Sequence, residues 1–189
     1  GTGGVTGNCN TAIGRNAGKC LTTGRDNIFL GRSASNATVT GNNNIASGDC
    51  ASHSLTSDAY NIVFGKEAGY CNSSGACNFV AGVFAARCRN STSGIFIGTS
   101  AGMGCNGATG AGNIMLGTEA GKCSRNGSNN VIAGNCAAKC ITTGGYNVIF
   151  GQSAGKTITT GSNNVFLGRY AVCSGIVTGD SNVSIGRLS

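Results

Sequence analysis

Short apolar triplets, each preceded by Asn and closed by Gly, alternate along the chain with longer polar stretches rich in Thr and Ser. The clearest unit is Asn164-Val165-Phe166-Leu167-Gly168, and its closing glycine recurs as Gly14, Gly31, Gly48, Gly65, Gly82, Gly98, Gly117, Gly134, Gly151, Gly168 and Gly186. The intervals are 17, 17, 17, 17, 16, 19, 17, 17, 17 and 18 residues. Four residues before the glycine stands Asn10, Asn27, Asn44, Asn61, Asn78, Asn113, Asn130, Asn147, Asn164 or Asn182, with Gly94 the exception. Three residues after it an Ala recurs, from Ala17 to Ala171. No segment carries apolar residues at the 3.6 period of a helix, and the unit is too short for two packed helices. It predicts a β-rich run, a Gly corner and a second, Thr-rich β run: one coil of a parallel β-solenoid.

The expectation is an all-β chain, a β-roll of about eleven 17-residue coils that fills residues 1–189 as a single repeat domain without separate caps. A lone coil buries only three or four apolar side chains, worth roughly 1.5–3 kcal/mol each. Ordering its backbone costs about 1–2 kcal/mol per residue. Stability therefore comes from stacking, which shares one core and continuous backbone ladders. At about 4.8 Å per coil, eleven coils make a rod on the order of 50 Å long. The glycines are expected at left-handed corners, Asn in a stack whose amides bond along the rod, and Ala where the coil must stay thin.

Strand residues alternate faces. If the residues one and three before the glycine face inward, the one between them faces out. That middle column contains Ala12, Phe29, Ala46, Val63, Val80, Phe96, Met115, Ile132, Ile149, Phe166 and Ser184, apolar at all but the last. Phe29, Val63, Val80, Phe96, Met115, Ile132, Ile149 and Phe166 are thus the candidate assembly face, since a monomer seldom exposes so long an apolar stripe. A flattened coil that buries both faces is the alternative. The ends carry a second expectation. Ser189 stands third after its glycine and Gly1 corresponds to the fourth place, so joining end to start sets Gly186 and Gly14 at the native interval of 17. Head-to-tail stacking in a fibre needs that phase; a fragment cut from a longer repeat tract would share it.

Composition narrows the class. Gly supplies 34 of the 189 residues, Pro and Trp are absent, and charged residues make up 10%. Without Pro or a three-residue glycine period the chain is not collagenous, and an apolar share of 40% argues against disorder. No apolar run reaches the roughly 18 residues of a membrane span.

Eleven cysteines point to an oxidising compartment and an extracellular or cell-surface setting. Cys71, Cys88, Cys105, Cys123 and Cys140 follow one another at 17, 17, 18 and 17 residues, a ladder up five coils in which Cys105 stands one place late. Neighbours about 4.8 Å apart fall inside the disulfide range. Cys9 with Cys20 and Cys77 with Cys88 are separated by 11 residues across one coil, so several pairings compete. Reduced cysteines buried as small hydrophobes are the alternative.

The net charge of +7 reflects scarce acids, and basic residues recur one place after the glycine (Arg15, Arg32, Lys66, Arg169, Arg187) and five places after it (Lys19, Arg87, Lys122, Lys139, Lys156). Such rows attract anionic glycans or a cell surface, or simply solvate a face. No aromatic platform accompanies them, so specific nucleic-acid binding is not expected. Gly151 to Thr157 imitates a phosphate-binding loop but is one spacer residue short, and Gly102 to Gly107 fits a dinucleotide fingerprint without a βαβ unit. His53 is the sole histidine, and no catalytic triad, carboxylate pair, metal site or cofactor site can be assembled.

The runs Asn10-Thr11-Ala12-Ile13-Gly14-Arg15-Asn16-Ala17 and Asn182-Val183-Ser184-Ile185-Gly186 resemble the head repeats of trimeric autotransporter adhesins, and related-looking repeats occur in phage tail fibres. The resemblance implies a left-handed parallel β-roll, three of which pack into a surface adhesin that binds matrix proteins. The unit here is longer than the family's and richer in Cys. Together these observations predict a non-enzymatic structural subunit or segment of an extracellular fibre, stacked head to tail, self-associating and hardened by disulfides. A trimeric adhesin head or tail-fibre shaft is the alternative. An ice-binding solenoid is a lesser one, suggested by Thr22-Thr23, Thr142-Thr143 and Thr159-Thr160.

Overall fold

The structure, a computed structural model, describes residues 6–104, 107–174 and 177–189. It is an all-β parallel solenoid with one three-residue strand per coil. The strands are β1 (Thr11–Ile13), β2 (Ile28–Leu30), β3 (Ile45–Ser47), β4 (Ile62–Phe64), β5 (Phe79–Ala81), β6 (Ile95–Ile97), β7 (Ile114–Leu116), β8 (Val131–Ala133), β9 (Val148–Phe150), β10 (Val165–Leu167) and β11 (Val183–Ile185). They form one sheet in strict sequence order, every neighbouring pair parallel and in register, as in Val131↔Val148, Ile132↔Ile149 and Ala133↔Phe150. Each triplet contains at least one β-branched or aromatic residue, types that suit a pleated surface.

The middle residue of each strand points into the coil and its two neighbours point out. Phe29, Val63, Val80, Phe96, Met115, Ile132, Ile149 and Phe166, expected on an outer assembly face, are instead buried core residues with at most 1% of their surface exposed. The alternation holds, but its sense is reversed. Asn, four places before the glycine, has the same parity as the middle residue, and Asn27, Asn44, Asn61, Asn78, Asn113, Asn130, Asn147 and Asn164 are also buried. A coil this narrow admits one side chain per strand. The Ala column (Ala34, Ala51, Ala68, Ala85, Ala101, Ala120, Ala137, Ala154, Ala171) faces it, and a third inward column carries Val39, Leu55, Ile141 and Ile158.

The Thr-rich run forms no second strand. Among the described residues it contributes only isolated parallel bridges, Leu21↔Val39, Arg89↔Ala108 and Ile158↔Val177. Left-handed residues break the extension: the coil of β7 carries Glu119 at φ 58°, Gly121 at φ 57° and Asn129 at φ 57°. Many such corners hold residues other than Gly, including Phe84 at φ 58° and Tyr170 at φ 60°. The closing glycine meets a stricter demand. Gly134 has φ 137°, and a Cβ there would run into the backbone of Gly151 in the next coil. Close stacking, more than the turn itself, restricts this column to Gly.

The Asn stack is a hydrogen-bonded ladder. Asn130 donates its backbone N–H and its Nδ2 to Asn113 Oδ1 at 3.0 Å each, and Nδ2 donates again to the Gly144 carbonyl at 2.9 Å. Asn147 treats Asn130 in the same way. At Gly94 the ladder breaks: Gly94 N–H still donates to Asn78 Oδ1, and the Ser91 hydroxyl, 3.3 Å away, replaces the missing amide. The Phe96 ring fills the space a side chain at Gly94 would need.

The third inward column also changes in mid-rod, where Asn72, Arg89, Ala108 and Ser124 stand in place of aliphatic residues. Arg89, 1% exposed, extends past Ala108 and donates to the carbonyls of Gly102, Gly110 and Ser124 at 3.1, 3.3 and 2.7 Å. Its guanidinium lies 5.4 Å from the Phe96 ring centroid. Burial without a carboxylate partner pulls its pKa down to about 10. Three carbonyls and an aromatic face thus hold a charge that lacks an ion-pair partner among the described residues.

Candidate assembly face and cysteine column

The outward strand residues form two parallel columns on the outer face of the sheet. They are Thr11/Ile13, Ile28/Leu30, Ile45/Ser47, Ile62/Phe64, Phe79/Ala81, Ile95/Ile97, Ile114/Leu116, Val131/Ala133, Val148/Phe150, Val165/Leu167 and Val183/Ile185. All but Thr11 and Ser47 are apolar, and none is charged. Phe64, Ile97 and Phe150 keep 41–43% of their surface exposed within this largely apolar strip. Eleven strands at about 4.8 Å and a width near 10 Å give a face of roughly 500 Å², at the upper end of what monomers usually expose. Beside it, one place after the closing glycine, runs a charged and polar rim that includes Arg32 and Asp49, paired at 2.7 Å.

The basic rows are partly neutralised along the rod. Arg87 pairs with Glu67 at 2.8 Å, and Lys122 and Lys139 both reach Glu119 at 2.6 Å. Hydrogen bonds from Lys122 and then Lys139 pull the Glu119 pKa down to about 2. Arg169 donates to Gln152 Oε1 at 3.1 Å and lies over the Tyr170 ring. Stacked side chains on one side place the His53 and Tyr70 rings 4.8 Å apart and Arg87 5.3 Å above Tyr70. Glu67, Phe84, Arg87 and Met103 line an open cleft of about 360 Å³ beside them. Sequence reasoning missed this grouping, although the 17-residue interval between His53, Tyr70 and Arg87 is visible in the chain.

One column of the Thr rank is engaged in the rod, while Thr23, Thr143 and Thr160 are exposed. Thr22, Thr56 and Thr142 Oγ1 donate to the carbonyls of Val39, Ser73 and Thr159 at 3.0, 2.8 and 3.1 Å. Their hydroxyl hydrogens thus serve coil-to-coil bonding.

Cys9, Cys20, Cys50, Cys71, Cys77, Cys88, Cys136, Cys140 and Cys173 are free thiols, and every described cysteine is at least partly exposed. None is a buried core hydrophobe. Cys71, Cys88, Cys123 and Cys140 occupy one column, each donating its N–H to a carbonyl of the next coil, namely Arg87, Met103, Lys139 and Lys156. In the odd coil Gly104 holds this place, donating to the Lys122 carbonyl; Cys105 lies outside the described residues. Cys71 and Cys88 bring their Sγ atoms to 3.1 Å. Cys9, Cys20 and Cys77 are exposed, with Cys9 and Cys77 both at left-handed corners, φ 59°. Among the described residues no group of three His, Cys, Asp or Glu side chains gathers that could hold a metal ion.

No protein-family model, no curated protein and no solved structure matches this chain.

Proposed function

We propose that the protein is a structural segment of an extracellular fibre, a non-enzymatic rod whose principal partner is a further copy of itself. The observation that carries this reading is the uncharged, largely apolar strip of outward strand residues from Ile13 to Ile185. Two copies packed face to face would bury about 1,000 Å², the lower limit for a specific interface. Interdigitating Ile, Phe, Leu and Val columns suit that contact, and the charged rim beside them limits slippage. Along the rod each coil offers backbone groups to the next, and all but the coil of Gly94 carry the ladder Asn, so a further coil of this kind adds through the same contacts. Assembly can therefore be both lateral and head to tail. The cysteine count supports the extracellular setting.

Negative-stain electron microscopy and sedimentation of the unreduced protein test this reading. Filaments or laterally paired rods are the expected result. Discrete trimers would favour the adhesin or tail-fibre alternative, and a stable monomer would overturn self-association. The ice-binding alternative keeps only the exposed Thr23, Thr143 and Thr160, because the other hydroxyls of that rank donate within the rod. Anionic glycans remain a secondary partner class, through those basic side chains that the ion pairs leave free.

A further inference from the structure

We infer that Cys71 and Cys88 form a disulfide between the coils of β4 and β5, a covalent staple beside the weakest stretch of the rod's core. The inference rests on the oxidising setting of the proposed function and is independent of filament formation. The two Sγ atoms stand 3.1 Å apart, so about 1 Å of side-chain motion brings them to bonding distance. Both N–H groups are held in the axial ladder, by the Arg87 carbonyl at 2.7 Å and the Met103 carbonyl at 3.0 Å. The stacking therefore presents the pair without backbone rearrangement, and partial exposure of both residues admits an oxidant.

The location gives the bond a purpose. Immediately after these cysteines come Asn72 and Arg89, the first two polar members of the inward column that is aliphatic at Leu21, Val39, Leu55, Ile141 and Ile158. The Asn ladder breaks one coil further on, at Gly94. Apolar burial and the amide ladder both weaken here, and a cross-link across one 17-residue interval restores cohesion by restricting the unfolded chain.

The oxidant is a small-molecule disulfide. The Cys88 thiolate attacks it, forming a mixed disulfide and releasing one thiolate. Cys71 then loses its proton to solvent and attacks the Cys88 sulfur, expelling the second thiolate. Two protein thiols become one disulfide while the oxidant is reduced to two thiols. Burial raises the Cys71 pKa, so closure accelerates as pH rises.

The test equilibrates the full chain with oxidised glutathione, alkylates the remaining thiols and digests with trypsin without reductant. Cleavage after Lys66, Arg87 and Arg89 isolates residues 67–87 and 88–89. The expected product is these two peptides linked, with fragmentation placing the bond on Cys71 rather than Cys77. Oxidation should raise Tm by about 5–10 °C. Cys71→Ser and Cys88→Ser should each abolish the gain, and Cys50→Ser should retain it. Recovery of Cys71 and Cys88 as alkylated thiols from folded, oxidised protein, or linked to other cysteines, overturns the pairing. A mapped bond in protein that stays monomeric would sink the assembly reading alone.

Discussion

Arg89 shows how one side chain can depart from its column without breaking the fold. It takes an inward place that most coils give to Leu, Ile or Val, and the small residues Ala108 and Ser124 leave the volume it fills. Arg89→Ala would open a cavity and take the guanidinium donor from the carbonyls of Gly102 and Ser124, while Gly110 keeps its bond from Asn113 Nδ2, at a cost of about 3–5 kcal/mol. Arg89→Met loses the same donors but keeps much of the volume and removes the buried charge, so chemical denaturation should find it less costly than Arg89→Ala. Glu119 makes a prediction in pH. Its folded pKa, about 2, lies below the ordinary carboxylate value near 4.3, so the unfolded chain binds more protons between the two. Its contribution is present above about pH 4.3 and lost as pH falls toward 2. Thermal melts across that window should show the loss in wild type and little of it in Glu119→Gln.

At the scale of elements, the ladder and the strand triplet act together. Asn130→Ala removes both Nδ2 bonds and the Oδ1 that accepts twice from Asn147, which should cost about 2–4 kcal/mol in equilibrium unfolding. The break at Gly94 tests the same logic in reverse. Gly94→Asn alone should destabilise the rod, because the new side chain meets the Phe96 ring. Combined with Phe96→Ile, the residue type at Ile132 and Ile149, it should recover stability by rejoining the Asn78 and Asn113 segments. The period, all eleven strand positions and the Asn stack were legible in the chain, since each repeats a residue type at a fixed interval. The Thr-rich run was misread as a second strand because Thr favours extended backbone, whereas the left-handed corners on either side leave only single-residue bridges.

For the whole molecule, the outer face of the sheet determines behaviour. Phe64→Lys and Phe150→Lys place charges in the middle of the apolar strip without entering the core. Each should shift a self-associated species toward monomer in sedimentation while leaving Tm within a few degrees, since surface substitutions rarely cost more than about 0.5 kcal/mol. Ile132→Lys, by contrast, buries a charge inside the coil and should prevent folding.

Sequence alone determined the coil: its length, its one apolar triplet per turn, its Gly and Asn columns, and the stacking of Cys71 on Cys88. These are properties of a repeat, which brings residue n to residue n+17 whatever the cross-section. The tertiary structure decided what lies inside that cross-section. Alternation separates two sets of side chains but cannot say which one faces the core. Here a single inward place per strand took the middle residue and turned its neighbours, the more numerous apolar set, toward solvent. Only the folded rod shows Arg89 reaching the Ser124 carbonyl, because that contact depends on the empty volume above Ala108 rather than on any spacing in the chain.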